Sequence, residues 1–277
     1  PFEYFALIFF VMSGAGLVAL FNNLLILFIG IEIVSIPLYI LTGSDKRNLK
    51  GNEAALKYFL MGSFSTGILL MGIAFLYGAA GSFQVERLVM VASEEFQVFT
   101  TIGIVMIMVA LAFKVSAAPF HFWTPDVYEG APTIFTMFMS TVVKTAGFAA
   151  IYHILDMMFG GLQKNWIIVV YFITVITLII GNISAVYQQS AKRMLAFSSI
   201  SHAGYMLLTV CANQPSTSSN ILYYSLAYTL ATAVSFAVIM VVADYQRGRN
   251  EQPESFNALN GLAKNNPDLA FAFTIAI

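Results

Sequence analysis

Eight continuous apolar stretches, each close to membrane-spanning length and parted by short polar breaks, constrain this chain more than any other feature of its sequence. They fall at about 4–21, 23–42, 56–79, 98–118, 132–157, 166–188, 194–211 and 219–243, and a ninth starts near Pro267. A helix crossing the hydrocarbon core needs about 20 apolar residues. Backbone polar groups in lipid must be satisfied within the protein, so only helices and closed barrels can cross. Barrel strands of about 10 alternating residues do not match unbroken apolar runs. Composition agrees: 59% of the 277 residues are hydrophobic and 10% are charged, against about 25% charged in soluble domains. The expected fold is an all-α polytopic transmembrane bundle, a single domain over 1–277. The last run, Leu269 to Ile277, is too short to span, and the chain starts at Pro1 with no visible signal peptide. It therefore reads as part of a longer polypeptide.

Several function classes drop out. A net charge of −1 offers no basic field for nucleic acid. The single Cys211 excludes a disulfide framework, no Cys/His cluster has metal-ligand spacing, and no glycine-rich nucleotide loop occurs. Neither hydride chemistry nor nucleotide hydrolysis can be placed on this chain.

Lys and Arg set the expected orientation. Lys46, Arg47, Lys50, Lys57, Lys192, Arg193, Arg247, Arg249 and Lys264 fall on one side of alternating spans, Arg87 and Lys164 on the other. The basic loops 43–57, 189–193 and 244–266 are thus expected on the cytoplasmic side. The 244–266 loop, with Asp244, Arg247, Arg249, Glu251, Pro253 and Glu254, reads as a solvated connector or a partner-docking segment. Segment 82–97, with Glu86, Arg87, Glu94 and Glu95, reads as a short outer surface helix or loop.

The chemistry lies in the ionisable residues inside the spans. A charge at a helix centre costs about 2.5–3.5 kcal/mol on insertion scales, which makes such residues functional candidates. Glu32, Lys114, Lys144 and His202 qualify. Glu32 and Lys114 are each followed five residues later by a proline, Pro37 and Pro119. A helical proline frees the carbonyl four residues before it, here that of Ile33 or Val115, where water could enter; alternatively the prolines only kink the helices for packing. If Glu32 and Lys114 meet at about 4 Å, their attraction is about 4 kcal/mol at an effective dielectric of about 20. That nearly offsets the burial of the lysine, so a paired Lys114 keeps its proton and an unpaired one releases it. A static salt bridge is the other reading. Lys144 lies about 18 Å from the basic end of its span, too deep to snorkel easily, and Thr145, Ala146 and Gly147 permit close helix approach. His202 follows Arg193 by about 14 Å of helix and shares a face with Ser198 and Tyr205. It is either a hydrogen-bonded structural histidine or, beside two buried lysines, a relay. His153 and Asp156 read as interfacial.

Three stretches carry a resemblance: FKVSAAPFHFWTPDVYEGAPT from Phe113 to Thr133, GIEIVSIPLYIL around Glu32, and AKRMLAFSSISHAGYMLL around His202. Over essentially the whole chain the sequence resembles the subunit N family of the proton-pumping NADH–quinone oxidoreductase, respiratory complex I. Related signatures occur in its sister subunits M and L and in multisubunit cation/proton antiporters. The resemblance implies an antiporter-like pair of inverted five-helix repeats, about 1–160 and an incomplete 161–277, each with a broken helix. It implies that Lys114 is the lysine of the first broken helix, Glu32 its carboxylate partner, and Lys144 and His202 further members of a polar axis. The lysine of the second broken helix would lie beyond Ile277. No cofactor is expected on this chain; NADH, FMN, iron–sulfur clusters and quinone would sit on or near other subunits. Expected partners are the other membrane subunits, including neighbouring antiporter-like ones, together with the bilayer of a bacterial inner membrane and protons. The expected function is redox-driven proton transfer through this non-redox subunit, in the order Lys114, Lys144, His202. The alternatives are a cation/proton antiporter subunit and a scaffold whose buried charges are inert.

Overall fold

The computed structural model describes residues 2–91, 97–212, 214–246 and 254–277. Among these the named elements are all helical: α1 Phe2–Ala19, α2 Leu24–Thr42, α3 Leu49–Ala80, α4 Val85–Val91, α5 Gln97–Lys114, α6 Trp123–Gly130, α7 Thr133–Phe138, α8 Lys144–Tyr152, α9 Gln163–Val186, α10 Ala191–Ala212, α11 Thr217–Tyr245, α12 Leu262–Asn265 and α13 Pro267–Ala276. A π-helical turn, Met139–Val143, joins α7 to α8, and a second, His153–Met158, extends α8, so that Thr133–Asp156 forms one crossing. Among the described residues seven helices are long and apolar enough to span a membrane, and Val98–Lys114 is a shorter apolar helix.

The bundle exposes large apolar side chains that a water-soluble protein would bury, and its mainly apolar interior also encloses small polar ones. Phe5, Phe9, Phe64, Phe172 and Leu222 are exposed, whereas Ser35, Ser65, Thr136, Thr177 and Ser199 are buried. Lipid tails are as apolar as leucine, so burying leucine gains little and close backbone packing takes over. At the crossing of α3 and α5, a Cβ on Gly72 would stand 2.9 Å from the carbonyl of Gly103.

Caps, rather than the limits of apolarity, set the N-terminal ends of α2 and α3. Asn23 caps α2 by accepting from the Leu25 N–H at 2.8 Å, and Asn48 caps α3 by accepting from Gly51. The second cap explains why α3 starts at Leu49 and not near 56, so that Lys50 and Lys57 are helical, not loop, residues. Gly81 closes α3 in the left-handed region at φ 63° and returns its N–H to Tyr77. Likewise α11 runs on to Tyr245, beyond the expected limit at 243, and α10 begins at Ala191.

The fourth crossing is interrupted: α5 ends at Lys114, and α6 resumes at Trp123. Pro119 lies in this gap, whereas α2 passes through Pro37 without a break. The two prolines, alike in sequence, thus act differently. Backbone groups left open in the gap find partners, as buried backbone must. The Trp123 indole donates to the Phe113 carbonyl at 3.1 Å, and the Ala118 N–H donates to the Thr177 hydroxyl of α9 at 2.9 Å. Ser116 takes the left-handed conformation at φ 64°, and its hydroxyl accepts from Thr124 at 2.7 Å. Trp123 also stacks on Tyr58 of α3, with centroids 4.7 Å apart.

The charged loops segregate to two ends. At one end Arg193 donates to Asp126 at 2.8 Å and Glu129 at 3.0 Å, and Lys57 reaches Asp126 at 2.8 Å and Glu53 at 2.7 Å. There too the buried Lys192 donates to the Ala131 carbonyl at 2.7 Å and pairs with Glu254 at 3.2 Å. Of the expected connector, Arg247, Arg249, Glu251 and Pro253 lie outside the described residues, and Asp244 belongs to α11. At the opposite end Gln84 bridges to Asn23, and α4 carries Glu86 and Arg87 on the expected short outer helix. Glu94 and Glu95 lie outside the described residues.

Candidate functional site

Two polar centres occupy the interior. The first lies where α2 meets the end of α5. Glu32, Ser35 and Tyr39 recur at helical spacing on one face of α2. The Lys114 Nζ donates to the Ser35 hydroxyl at 2.7 Å. Ser35 in turn gives its own proton to the Ile31 carbonyl at 2.5 Å, which leaves its oxygen lone pairs turned to the lysine. Glu32 lies one turn from Ser35 on the same face of α2, and among the described residues no ion pair joins it to Lys114. A direct contact between the two, one of the arrangements the sequence left open, is therefore not formed here, and a neutral hydroxyl holds the ammonium. Beside this group the Tyr39 hydroxyl is buried without a hydrogen-bond partner, pressed against Gly62, where an added Cβ would stand only 2.1 Å away.

The second centre joins α8, α10 and α11. Lys144 is 2% exposed and follows directly on the π-helical turn Met139–Val143, a local widening found often at functional sites. Its Nζ donates to both the carbonyl and the hydroxyl of Ser199. The Tyr228 hydroxyl donates to that same Ser199 hydroxyl at 2.8 Å, and the Tyr228 ring lies 5.5 Å from the ammonium. The His202 ring sits 5.0 Å from the Tyr228 ring, and its Nδ1 is 2.7 Å from the Tyr224 hydroxyl. A cavity of about 270 Å³ opens beside His202, Tyr224 and Tyr228. An ammonium held by neutral oxygens remains a costly buried charge, because none of its partners carries the opposite sign.

The structure thus brings Lys144 and His202 into one cluster, with Ser199 and Tyr228 between them. Lys114 is held by Ser35, which lies one turn from Glu32 on the same face of α2. The two centres are joined by packing: a Cβ on Gly147, one turn beyond Lys144, would meet the Val115 side chain at 2.7 Å, next to Lys114. Ser198, expected on the His202 face, lines the cavity with it. Tyr205 lies at a ring distance of 6.1 Å, but the histidine hydrogen-bonds to Tyr224 instead. Sequence reasoning missed Ser35, Ser199, Tyr224 and Tyr228. Ser35 was one turn from Glu32 and could have been found by asking what else that face offers. The two tyrosines gave a weaker signal, an i, i+4 pair in α11 whose facing helix the sequence does not name. His153 stacks on Phe21 at 4.6 Å, remote from both centres in its contacts. Among the described residues no cluster of three metal-ligating side chains occurs.

Comparison with known proteins fits this arrangement. Residues 21–277 match the family described as NADH:quinone oxidoreductase/Mrp antiporter, transmembrane region. A NADH-quinone oxidoreductase subunit N from Cytophaga hutchinsonii is 44% identical over 275 residues, covering 99% of this chain and 59% of that protein. A chain of respiratory complex I from Thermus thermophilus superposes with a TM-score of 0.84 at 34% identity, over 100% of this chain and 58% of that one. A chain of the Mrp complex from Dietzia sp. superposes with a TM-score of 0.85 at 26% identity, over 98% of this chain and 50% of that one. The chain therefore spans under three fifths of the length of these relatives.

Proposed function

Because this chain belongs to the NADH:quinone oxidoreductase/Mrp antiporter transmembrane family, we propose that it conducts protons as the central part of a subunit N of NADH–quinone oxidoreductase. The observation that carries this reading is the placement of Lys114 at the end of a broken helix, its ammonium on Ser35, one turn from Glu32 on the same face of α2. A lysine poised between a hydroxyl and a carboxylate changes its hold on a proton with a small displacement, because attraction to the carboxylate grows steeply on approach. From there charge passes to Lys144 and on through Ser199 and Tyr228 toward His202. The redox chemistry belongs to other subunits, whose free energy drives this transfer; the other membrane subunits are its partners. The end bearing Lys50, Lys57, Lys192 and Arg193 faces the cytoplasm of a bacterium. Two inverted five-helix repeats, the first ending near residue 160, complete the reading.

The test is Lys114→Ala in the assembled complex, read as protons moved per electron in sealed vesicles. Pumping is expected to fall to a small fraction of the native value while the complex still assembles. Unchanged stoichiometry would sink the assignment. The likeness to the Mrp chain supports a second reading, a cation/proton antiporter subunit. Sodium-dependent proton exchange in vesicles without NADH or quinone would favour it.

A further inference from the structure

We propose that Ser35 is a positioning residue that competes with Glu32 for the Lys114 ammonium and holds it in the separated state. The inference rests on the reading of this chain as a proton conductor and adds a third member to the glutamate–lysine unit. The Ser35 hydroxyl is committed as a donor to the Ile31 carbonyl, so toward Lys114 it can only accept. While Lys114 itself is partly buried, the serine is 1% exposed, so this acceptor is enclosed by the bundle. It stands one helical turn from Glu32 on the same face, so the ammonium can exchange one acceptor for the other without crossing the bundle. A serine at this place turns a single attraction into a choice between two. On the carboxylate the ammonium sits in a charge-assisted bond; on the hydroxyl it is held by a neutral group and is more readily moved onward. The unpartnered Tyr39 hydroxyl, one turn further along α2, keeps polar capacity beside the serine.

The experiment compares Ser35→Thr with Ser35→Val in the whole complex. Threonine and valine fill nearly the same volume, and only threonine keeps the hydroxyl. If the hydroxyl holds the lysine, Ser35→Thr pumps within about twofold of native, and Ser35→Val pumps about ten- to a hundredfold more slowly, the factor expected for one hydrogen bond to a charged group. Complex abundance and NADH oxidation by the detached redox arm should be the same for both. A structure of Ser35→Val should show Lys114 Nζ within about 4 Å of the Glu32 carboxylate, an ion-pair distance. Equal pumping by the two variants, or a Lys114 that stays clear of Glu32 in Ser35→Val, overturns the proposal. Lys114→Met serves as the control for the underlying reading. If that variant pumps normally, proton conduction through this lysine is wrong; if it is inactive and the serine variants are alike, only the role of Ser35 is.

Discussion

Tyr228 stands between two basic side chains, its hydroxyl on Ser199, which holds Lys144, and its ring against His202. Replacing it with phenylalanine removes the hydroxyl and leaves the ring that lies near the ammonium. Tyr228→Phe is therefore expected to leave assembly unchanged and to slow pumping about three- to tenfold, in keeping with one buried hydrogen bond. Proton uptake by vesicles of the purified complex measures this, and a native rate would remove Tyr228 from the path. Identifying the ionisable residues within the spans needed only the sequence, since a lysine in an apolar run is costly wherever its partners are. Identifying their partners did not, and the burial of Lys192, read as a loop residue, was found only in the structure. Lys114 and Ser35 are 79 positions apart, and Lys144 and Ser199 are 55 apart.

Broken and unbroken helices form the next scale. Pro37 and Pro119 present the same local text, an ionisable residue five positions ahead of a proline, yet only the second lies in a gap. The gap is sustained by groups from elsewhere, Thr177 of α9 and Trp123 of α6, which take up backbone partners that the helix has given away. Helix α5, which ends in Lys114, is seated on α3 through Gly103, where a Cβ would stand 2.8 Å from Leu76. Gly103→Leu should push the two helices apart and destabilise the bundle by about 1–3 kcal/mol, the usual range for overpacking. Gly67, on α3 with nothing within 4 Å, is the control, and Gly67→Leu should leave stability unchanged. Thermal unfolding in detergent separates the two outcomes. At the basic end, Arg193 of α10 ties down both carboxylates of α6. Arg193→Glu should loosen α6 and raise its proteolysis in solubilised protein, while Arg193→Lys retains part of the protection.

For the whole molecule, the distribution of charge is the property with a direct consequence. Lys50, Lys57, Lys192 and Arg193 gather at one end with Asp126, Glu129 and Glu254, whereas Arg87 lies on α4 at the other. Cys211, the single cysteine of these 277 residues, is 5% exposed, and labelling of introduced cysteines is read against the parent protein without them. Glu86→Cys should react with a membrane-impermeant maleimide added outside intact cells, and Asp45→Cys only in inverted vesicles. The reverse pattern would overturn the orientation.

Long apolar runs settled the membrane bundle, and a few charges within them marked the residues proposed to carry its chemistry. Both are local properties: the transfer of a segment into lipid depends on the residues in that segment. That both site lysines rest on serines, and which proline interrupts its helix, was decided by neighbours brought from distant parts of the chain. Hydrogen bonds and ion pairs act over about 3–4 Å, a distance at which only the packed helices determine who meets whom.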